Sequence, residues 1–454
     1  MRAKARRGYL PPMTLDELRH AVNAKEIDTV ILALTDMQGR LQGKRFTARH
    51  FLDAVLGHSA EGCNYLLAVD VDMNTVDGYA MASWDKGYGD FVMVPDLTTL
   101  RRTPWLPGTA LLLADLQWHD HTPVVASPRQ ILRAQIDRLG ARGWNGLAAT
   151  ELEFMLFSTS YRDAHLQGYR DLEPANFHNI DYSVLGTSRV EPLIRRIRNE
   201  MLEAGLVVEN SKGECNYGQH EINFLYDGVL ATADKHAVYK NGAKEIADQE
   251  GMAISFMAKY DQREGSSCHV HLSLRDEADA PVFADQPEVF DAFMAGVLAT
   301  LPELTLLHAP NVNSYKRFAS ASFAPTAVAW GTDNRTCALR VLGEGRARRL
   351  ELRMPGADVN PYLTLAALIA GGLHGVELGL PLEPPVTGNA YATDHERVPG
   401  TLRDARDLFA ASAVARSAFG DEVVDHYLNA ARVELEAFDA AVTDWERVRG
   451  FERL

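Results

Sequence analysis

The chain has 454 residues, 46% hydrophobic and 24% charged, a balance that gives room for two packed cores and excludes a disordered or fibrous chain. Its formal net charge of −15 argues against a nucleic-acid partner, which needs a basic surface, and is compatible with a cationic or metal-chelated substrate. Cys63, Cys215, Cys268 and Cys337 show no CxxC spacing and read as reduced thiols of a cytoplasmic protein.

Residues 1–7 are basic and run into Gly8-Tyr9-Leu10-Pro11-Pro12 without the apolar core of a signal peptide, so 1–12 is expected to be a disordered tail. Thr14-Leu15-Asp16-Glu17 then has the form of a capping box, opening a helix with Leu18, Ala21 and Val22 inward. A strand over 29–34 and a turn at Asp36-Met37-Gln38-Gly39-Arg40 follow, with short strands continuing to about Asp115. The Pro-containing stretch 119–128 leads into an amphipathic helix over 129–140, with Ile131, Leu132, Ile136 and Leu139 on one face. The domain boundary is placed there, giving an N-terminal domain over 13–120 and a C-terminal domain over 121–454. Further helices are expected over 191–204, 231–249, 287–307, 361–378 and 402–447. The apolar run 362–382 carries Gly371, Gly372, His374 and Glu377, which favours a buried helix, so no membrane partner is expected.

Four segments carry the chemistry: Glu151-Leu152-Glu153, Glu221-Ile222-Asn223, His269-Val270-His271 and Glu351-Leu352-Arg353. Each sits in a short apolar stretch with strand character, and a period of two sends its polar residues to one face of a sheet. Burying that many like charges is prohibitive unless divalent cations neutralise them. Glu214 joins the set across a Gly-containing turn from Glu221. Glu151, Glu153, Glu214, Glu221, His269 and Glu351 are six ligands, enough for two Mg2+ or Mn2+ ions with positions left for phosphate and water. Arg335, Arg340, Arg346, Arg348, Arg349 and Arg353 add guanidinium groups suited to phosphate and carboxylate oxygens. Gly39-Arg40-Leu41-Gln42-Gly43-Lys44-Arg45 is one residue short of a P-loop, and Gly343-Glu344-Gly345 lacks the third glycine of a dinucleotide fingerprint. Strands separated by long helices and converging on one polar face indicate an α+β catalytic domain.

Thr150-Glu151-Leu152-Glu153-Phe154, Gly218-Gln219-His220-Glu221, Cys268-His269-Val270-His271-Leu272-Ser273, Asn313-Ser314-Tyr315-Lys316-Arg317, Asp333-Asn334-Arg335, Arg348-Arg349-Leu350-Glu351-Leu352-Arg353 and Asn360-Pro361-Tyr362-Leu363 together resemble glutamine synthetase of the bacterial class I type. The resemblance runs from about Leu15 to Leu454. It implies a small N-terminal β-grasp domain, a large C-terminal α/β catalytic domain, and a homo-oligomer of two stacked hexameric rings in which a loop near Asp77-Gly78 caps the neighbour's site. It implies that Glu153, Glu214 and Glu221 hold one metal while Glu151, His269 and Glu351 hold the second. Glu209, Tyr226, His271, Ser273, Arg346 and Arg349 would then border ATP. Gly265, Arg317 and Arg353 would hold glutamate, and Arg335 and Arg340 would face the transferred phosphoryl group.

Two positions depart from ammonia-using relatives. Phe323 stands where those carry a glutamate that binds and deprotonates ammonium, and Glu264 stands where they carry Asn. The expected reaction is ATP-dependent ligation of the glutamate γ-carboxylate to a larger primary amine. A polyamine such as putrescine or spermidine is the first choice, ethanolamine the second, and ordinary ammonia-using synthesis remains an alternative, as does a non-catalytic ring. The asparagine-tyrosine segment adenylylated in some relatives is only weakly echoed in Asn389-Ala390-Tyr391.

Overall fold

The structure is a computed structural model that describes residues 13–319 and 322–454; the expected tail 1–12 lies outside the described residues, as do Ser320 and Ala321. Thr14 caps the helix Leu15–Asn23 as its sequence predicts, its hydroxyl accepting from the Glu17 backbone at 3.2 Å while Glu17 Oε2 accepts from the Thr14 N–H at 2.7 Å. Five strands follow: β1 (Thr29–Thr35), β2 (Leu41–Thr47), β3 (Ala60–Cys63), β4 (Asp90–Arg102) and β5 (Thr109–Gln117). They form a sheet of order β2-β1-β5-β4-β3, with β1 and β5 parallel and the other pairs antiparallel. Strand alternation gives this sheet two apolar faces. Val30, Leu32, Leu34 and Leu112 pack with Leu18 and Phe51 in a small core, whereas Ala33, Leu111 and Leu113 join the large core of the rest of the chain.

The second sheet comprises β6 (Trp144–Phe157), β7 (Val208–Gly213), β8 (Gln219–Phe224), β9 (Asp227–Gly228), β10 (Ala253–Ser255), β11 (Cys268–Asp276), β12 (Trp330–Thr332), β13 (Leu339–Leu342) and β14 (Arg349–Leu352). Its order is β12-β13-β14-β11-β6-β8-β7, with β9 and β10 also paired to the long β6; only β12 and β13 run parallel. Leu152, Phe154, Ile222, Val270, Leu272, Leu350 and Leu352 are buried on one face, over the helices Pro128–Gly140 and Val229–Gln249. The opposite face carries the polar residues. The chain is therefore α+β, with each long strand alternating between an oily side and a chemical side.

Two helices, Pro287–His308 and Pro361–Leu378, are long and apolar enough to cross a bilayer, yet they pack on each other inside the protein. Their contact is at backbone distance: a Cβ on Gly375 would lie 2.0 Å from the Ala292 carbonyl oxygen, and one on Gly296 2.3 Å from that of Gly371. The single helical stretch expected over 402–447 is four helices, Leu402–Ala411, Ala413–Phe419, Asp421–Ala440 and Asp444–Gly450. The breaks fall at Ser412, whose hydroxyl caps the second, at Gly420 with φ +83°, and before Thr443, which caps the last. The short helices Tyr161–Leu166 and Val184–Ser188 escape the periodicity reading, being too brief to show a repeat.

A buried ionic knot ties the first sheet to the helices under the second. Arg129 donates to both oxygens of Asp234 at 3.0 and 2.9 Å and to Asp96 at 2.7 Å, and pairs with Asp115; Arg133 reaches Asp115 at 3.0 Å and Asp96 at 2.9 Å. Asp96 and Asp115 come from β4 and β5, Asp234 from the Val229–Gln249 helix, and Tyr362 completes the set by donating to Asp234 at 2.8 Å.

Candidate active site

Strand register assembles the polar face. Glu151 lies opposite His269, Glu153 opposite Glu221, and Glu351 opposite both His271 on one side and Arg340 on the other. The structure thus brings together the residues that sequence spacing selected, in two adjoining groups.

In the first group, carboxylate oxygens of Glu153, Glu214 and Glu221 lie within 4.8 Å of one another. Glu153 Oε2 accepts from Gln219 Nε2 at 2.9 Å and from the Ser267 N–H at 2.7 Å, and Glu221 Oε1 accepts from Asn223 Nδ2 at 2.7 Å. Burial, then repulsion among the neighbouring carboxylates, raises Glu153 well above the usual range and pushes Glu221 up to about 8. Burial also raises Glu214, although Lys212 pulls the other way. Lys212 pairs with Glu214, stands 3.2 Å from Asp181 and places its ammonium 4.6 Å from the centre of the Tyr182 ring. Three carboxylates held this close, in surroundings that disfavour their charge, fit a hard divalent cation with oxygen ligands.

In the second group, ligand atoms of Glu151, His271 and Glu351 also lie within 4.8 Å of one another. His269 belongs beside them: its Nδ1 is 3.2 Å from Glu151 and 3.6 Å from Glu351, while His271 Nε2 is 2.9 Å from Glu151. Both imidazoles therefore face Glu151, where sequence reasoning gave only His269 to the metal. Burial, helped by the charge of Arg353, lowers His269 to about 4, leaving the neutral imidazole that binds metals. Its Nε2 is buried with no hydrogen-bond partner among the described residues. Burial opposes the charge on Glu151, but hydrogen bonds from the two histidines outweigh it and hold that carboxyl far below its usual range. Glu351, fully buried, is likewise held low by His269 and Arg353 against the cost of burial. The donor set fits a second divalent cation.

From this group a cleft of about 500 Å³ opens, lined by Glu209, Tyr226, His271, Ser273, Arg346 and Arg349. These are the six residues that the resemblance associates with ATP. Arg349 Nε donates to His271 Nδ1 at 3.3 Å, and Arg346 is held by the carbonyl and carboxylate of Asp279 at 2.7 and 2.6 Å.

The residues expected around glutamate and the phosphoryl group are more dispersed. Arg353 pairs with Glu351, and its Nε is buried without a partner among the described residues. Arg340 bridges Glu351 at 2.9 Å and Asp333 at 3.0 Å. Arg335 is exposed on the turn after β12, beside a shallow cleft formed with 385–388. Arg317 is buried and donates to the Met354 carbonyl at 2.8 Å and Ser267 Oγ at 3.0 Å. Gly265 abuts it so closely that a Cβ there would lie 2.4 Å from Arg317 Cγ. Glu264 is exposed, and it is its backbone carbonyl that Asn216 engages, at 2.9 Å. Phe323 is 58% exposed at φ +56°, a left-handed backbone that is strained for an aromatic residue.

Sequence reasoning missed Lys212 and Arg275. Arg275 lines the cleft two residues beyond Ser273 on the same face of β11, so the period-two rule, followed one step further, finds it. Lys212 is legible only through its register opposite Glu221.

The glutamine synthetase catalytic-domain family matches residues 125–449. The gamma-glutamylethanolamide synthetase GlnA4 of Streptomyces coelicolor is 62% identical over 447 residues, covering 98% of this chain and 97% of the relative. The glutamate–isopropylamine ligase of a Pseudomonas species is 38% identical, covering 95% and 97%. Among solved structures, a GmaS/ADP complex superposes with a TM-score of 0.84 at 26% identity, covering 96% of this chain and 99% of that one. A polar sheet face carrying two ligand groups, a catalytic-domain match over most of its length and relatives aligned end to end place this chain in the glutamine synthetase family.

Proposed function

We propose that the protein ligates the γ-carboxylate of glutamate to ethanolamine at the expense of ATP, passing through γ-glutamyl phosphate. The observation that carries this reading is the 62% identity, over almost the whole chain, to a relative named for that activity. The polyamine expected first, for which the acidic balance of the chain and Glu264 spoke, gains no such support: Glu264 is exposed, and the hydrogen bond it accepts from Asn216 is through its backbone carbonyl.

In this reading Glu153, Glu214 and Glu221 would hold one Mg2+ or Mn2+ ion, and Glu151, Glu351, His269 and His271 would hold another. Ions bound there would supply positive charge to offset the negative charge of the triphosphate and of the transferred phosphoryl group. A γ-carboxylate oxygen of glutamate forms a bond to the ATP γ-phosphorus and ADP departs. The amine nitrogen then attacks the acyl carbon, phosphate leaves, and the nitrogen loses one proton. Arg353 and Arg340, both anchored on Glu351, present their remaining donors to glutamate and to the transferred phosphoryl group. Phe323 offers an apolar wall in place of an ammonium-binding carboxylate, which suits an alkylamine.

Phosphate release measured with ethanolamine, isopropylamine, putrescine, spermidine and ammonia tests the reading. Ethanolamine should give the highest kcat/KM; a higher value for putrescine or spermidine would return the polyamine assignment, and a higher value for ammonia would remove the argument from Phe323. We also propose the double hexameric ring as the active assembly, a closed head-to-tail arrangement. Light scattering that finds a fully active monomer at micromolar concentration would refute it.

A further inference from the structure

We infer that Asp333 is a positioning residue for phosphoryl transfer: its carboxylate takes one edge of the Arg340 guanidinium and so fixes the plane in which the remaining donors meet the transferred group. The inference rests on the ligase reading above, in which Arg340 faces that group. Arg340 stands on β13 between two carboxylates. Nη1 donates to Glu351 Oε2 at 2.9 Å, Nε donates to Asp333 Oδ1 at 3.0 Å, and Nη2 pairs with the same Asp333 oxygen. A guanidinium has about five N–H groups, so these contacts leave one on Nη1 and one on Nη2 for an incoming anion. Held by Glu351 alone, the head would hang from a single nitrogen and pivot about it. The second anchor, on the Nε edge, removes that freedom before the reaction starts.

The two anchors differ in kind. The Glu351 side chain is fully buried and belongs to the second ligand group, whereas that of Asp333 is 69% exposed. An ion pair to so exposed a carboxylate adds little to stability, so holding the fold together does not account for it. The backbone that carries it is nevertheless well fixed. Asp333 stands at φ +50°, a left-handed conformation that Asp tolerates better than most side chains, and its N–H donates to the Val341 carbonyl at 3.1 Å. Asn334 staples the same turn to the neighbouring segment, donating to the carbonyls of Val386 at 3.1 Å and Gly388 at 2.8 Å. The carboxylate therefore has a set place from which to hold the arginine. Arg335 lines the same shallow cleft as Asp333, so a double-mutant cycle is needed to tell the two arginines apart.

Steady-state kinetics of the full-length protein with Mg2+, ATP, glutamate and ethanolamine test the assignment. Asp333→Gly, which suits a left-handed backbone, should lower kcat about tenfold, the value of one charge-assisted hydrogen bond, and leave KM for ATP and for glutamate within about twofold of the parent. Asp333→Asn keeps the backbone preference and one acceptor oxygen and should recover part of that loss, a rescue that a merely structural role would not give. In an Arg340→Lys background, which has no Nε edge to hold, the effect of Asp333→Gly should shrink to less than about twofold. Losses that multiply across Asp333→Gly and Arg340→Lys would overturn the assignment, because Asp333 would then act elsewhere, as on Arg335. An unchanged or raised kcat, or a loss confined to KM, would overturn it as well. A parent protein that shows no glutamate-dependent phosphate release from ATP with any amine would defeat the ligase reading itself, and this inference with it.

Discussion

Glu221 shows what a single side chain contributes at this site. It is buried, sits across the ladder from Glu153, and burial and repulsion push it up to about 8, so without a cation the group retains a proton at neutral pH. Glu221→Gln keeps the shape and the Asn223 contact but removes the charge that a divalent ion needs. The variant should fold, bind Mn2+ at least tenfold more weakly, and lose metal-dependent turnover, the order of effect seen when a charge-assisted contact is deleted. Undiminished turnover in the folded variant would dismiss the two-metal reading. This part of the molecule was largely legible in the sequence, because a two-residue period is local and every ligand except Glu214 lies on a strand. What was not legible depends on cross-strand geometry or backbone conformation: that His269 and His271 both turn to Glu151, that Arg317 is engaged by Met354 and Ser267, and that Phe323 adopts a left-handed φ.

Between elements, the Arg129 knot is the joint most exposed to damage. Its partners come from β4, β5 and the Val229–Gln249 helix and lie 33, 14 and 105 residues from Arg129, beyond the reach of any helix or strand period, so no local pattern announces it. Removing the arginine leaves the buried Asp234 carboxylate with the Tyr362 hydroxyl but no paired cation, while Asp96 and Asp115 share Arg133 alone. Arg129→Leu should cost about 3–5 kcal/mol, the usual penalty for breaking a buried ion pair from one side. Urea unfolding of the variant measures it, and a loss below about 1 kcal/mol, the value of a surface pair, would show the knot to be incidental. Long helices were easier to anticipate than this joint. The expected starts and ends of 191–204, 231–249 and 287–307 fall within two residues of those observed, because amphipathic or apolar stretches of that length have few alternatives.

For the molecule as a whole, buried histidines set an acid limit. His308 is wholly enclosed, bonded through Nδ1 to Thr364 at 2.7 Å, and burial lowers it to about 3 from an ordinary value of 6.5. The unfolded chain takes up that proton below about pH 6.5 and the folded chain does not. The stability attached to His308 is therefore fully present above 6.5 and drains away as pH falls toward 3. Relative to His308→Gln, the parent should lose about 1.4 kcal/mol for each pH unit between 6 and 4. Parallel urea midpoints for the two proteins across that range would disprove the coupling.

Lys212 has a consequence for how the protein matures. Its ammonium, lodged between Glu214 and Asp181, acts as a placeholder cation on a strand that belongs to the sheet itself. A newly made chain can close its sheet around the acidic face before any metal arrives, since part of the mutual repulsion is already cancelled from within. Loading would then be an exchange rather than a filling: an ion taken up by Glu214 would replace the Lys212 ammonium, which already has Asp181 at 3.2 Å and the Tyr182 ring at 4.6 Å to fall back on.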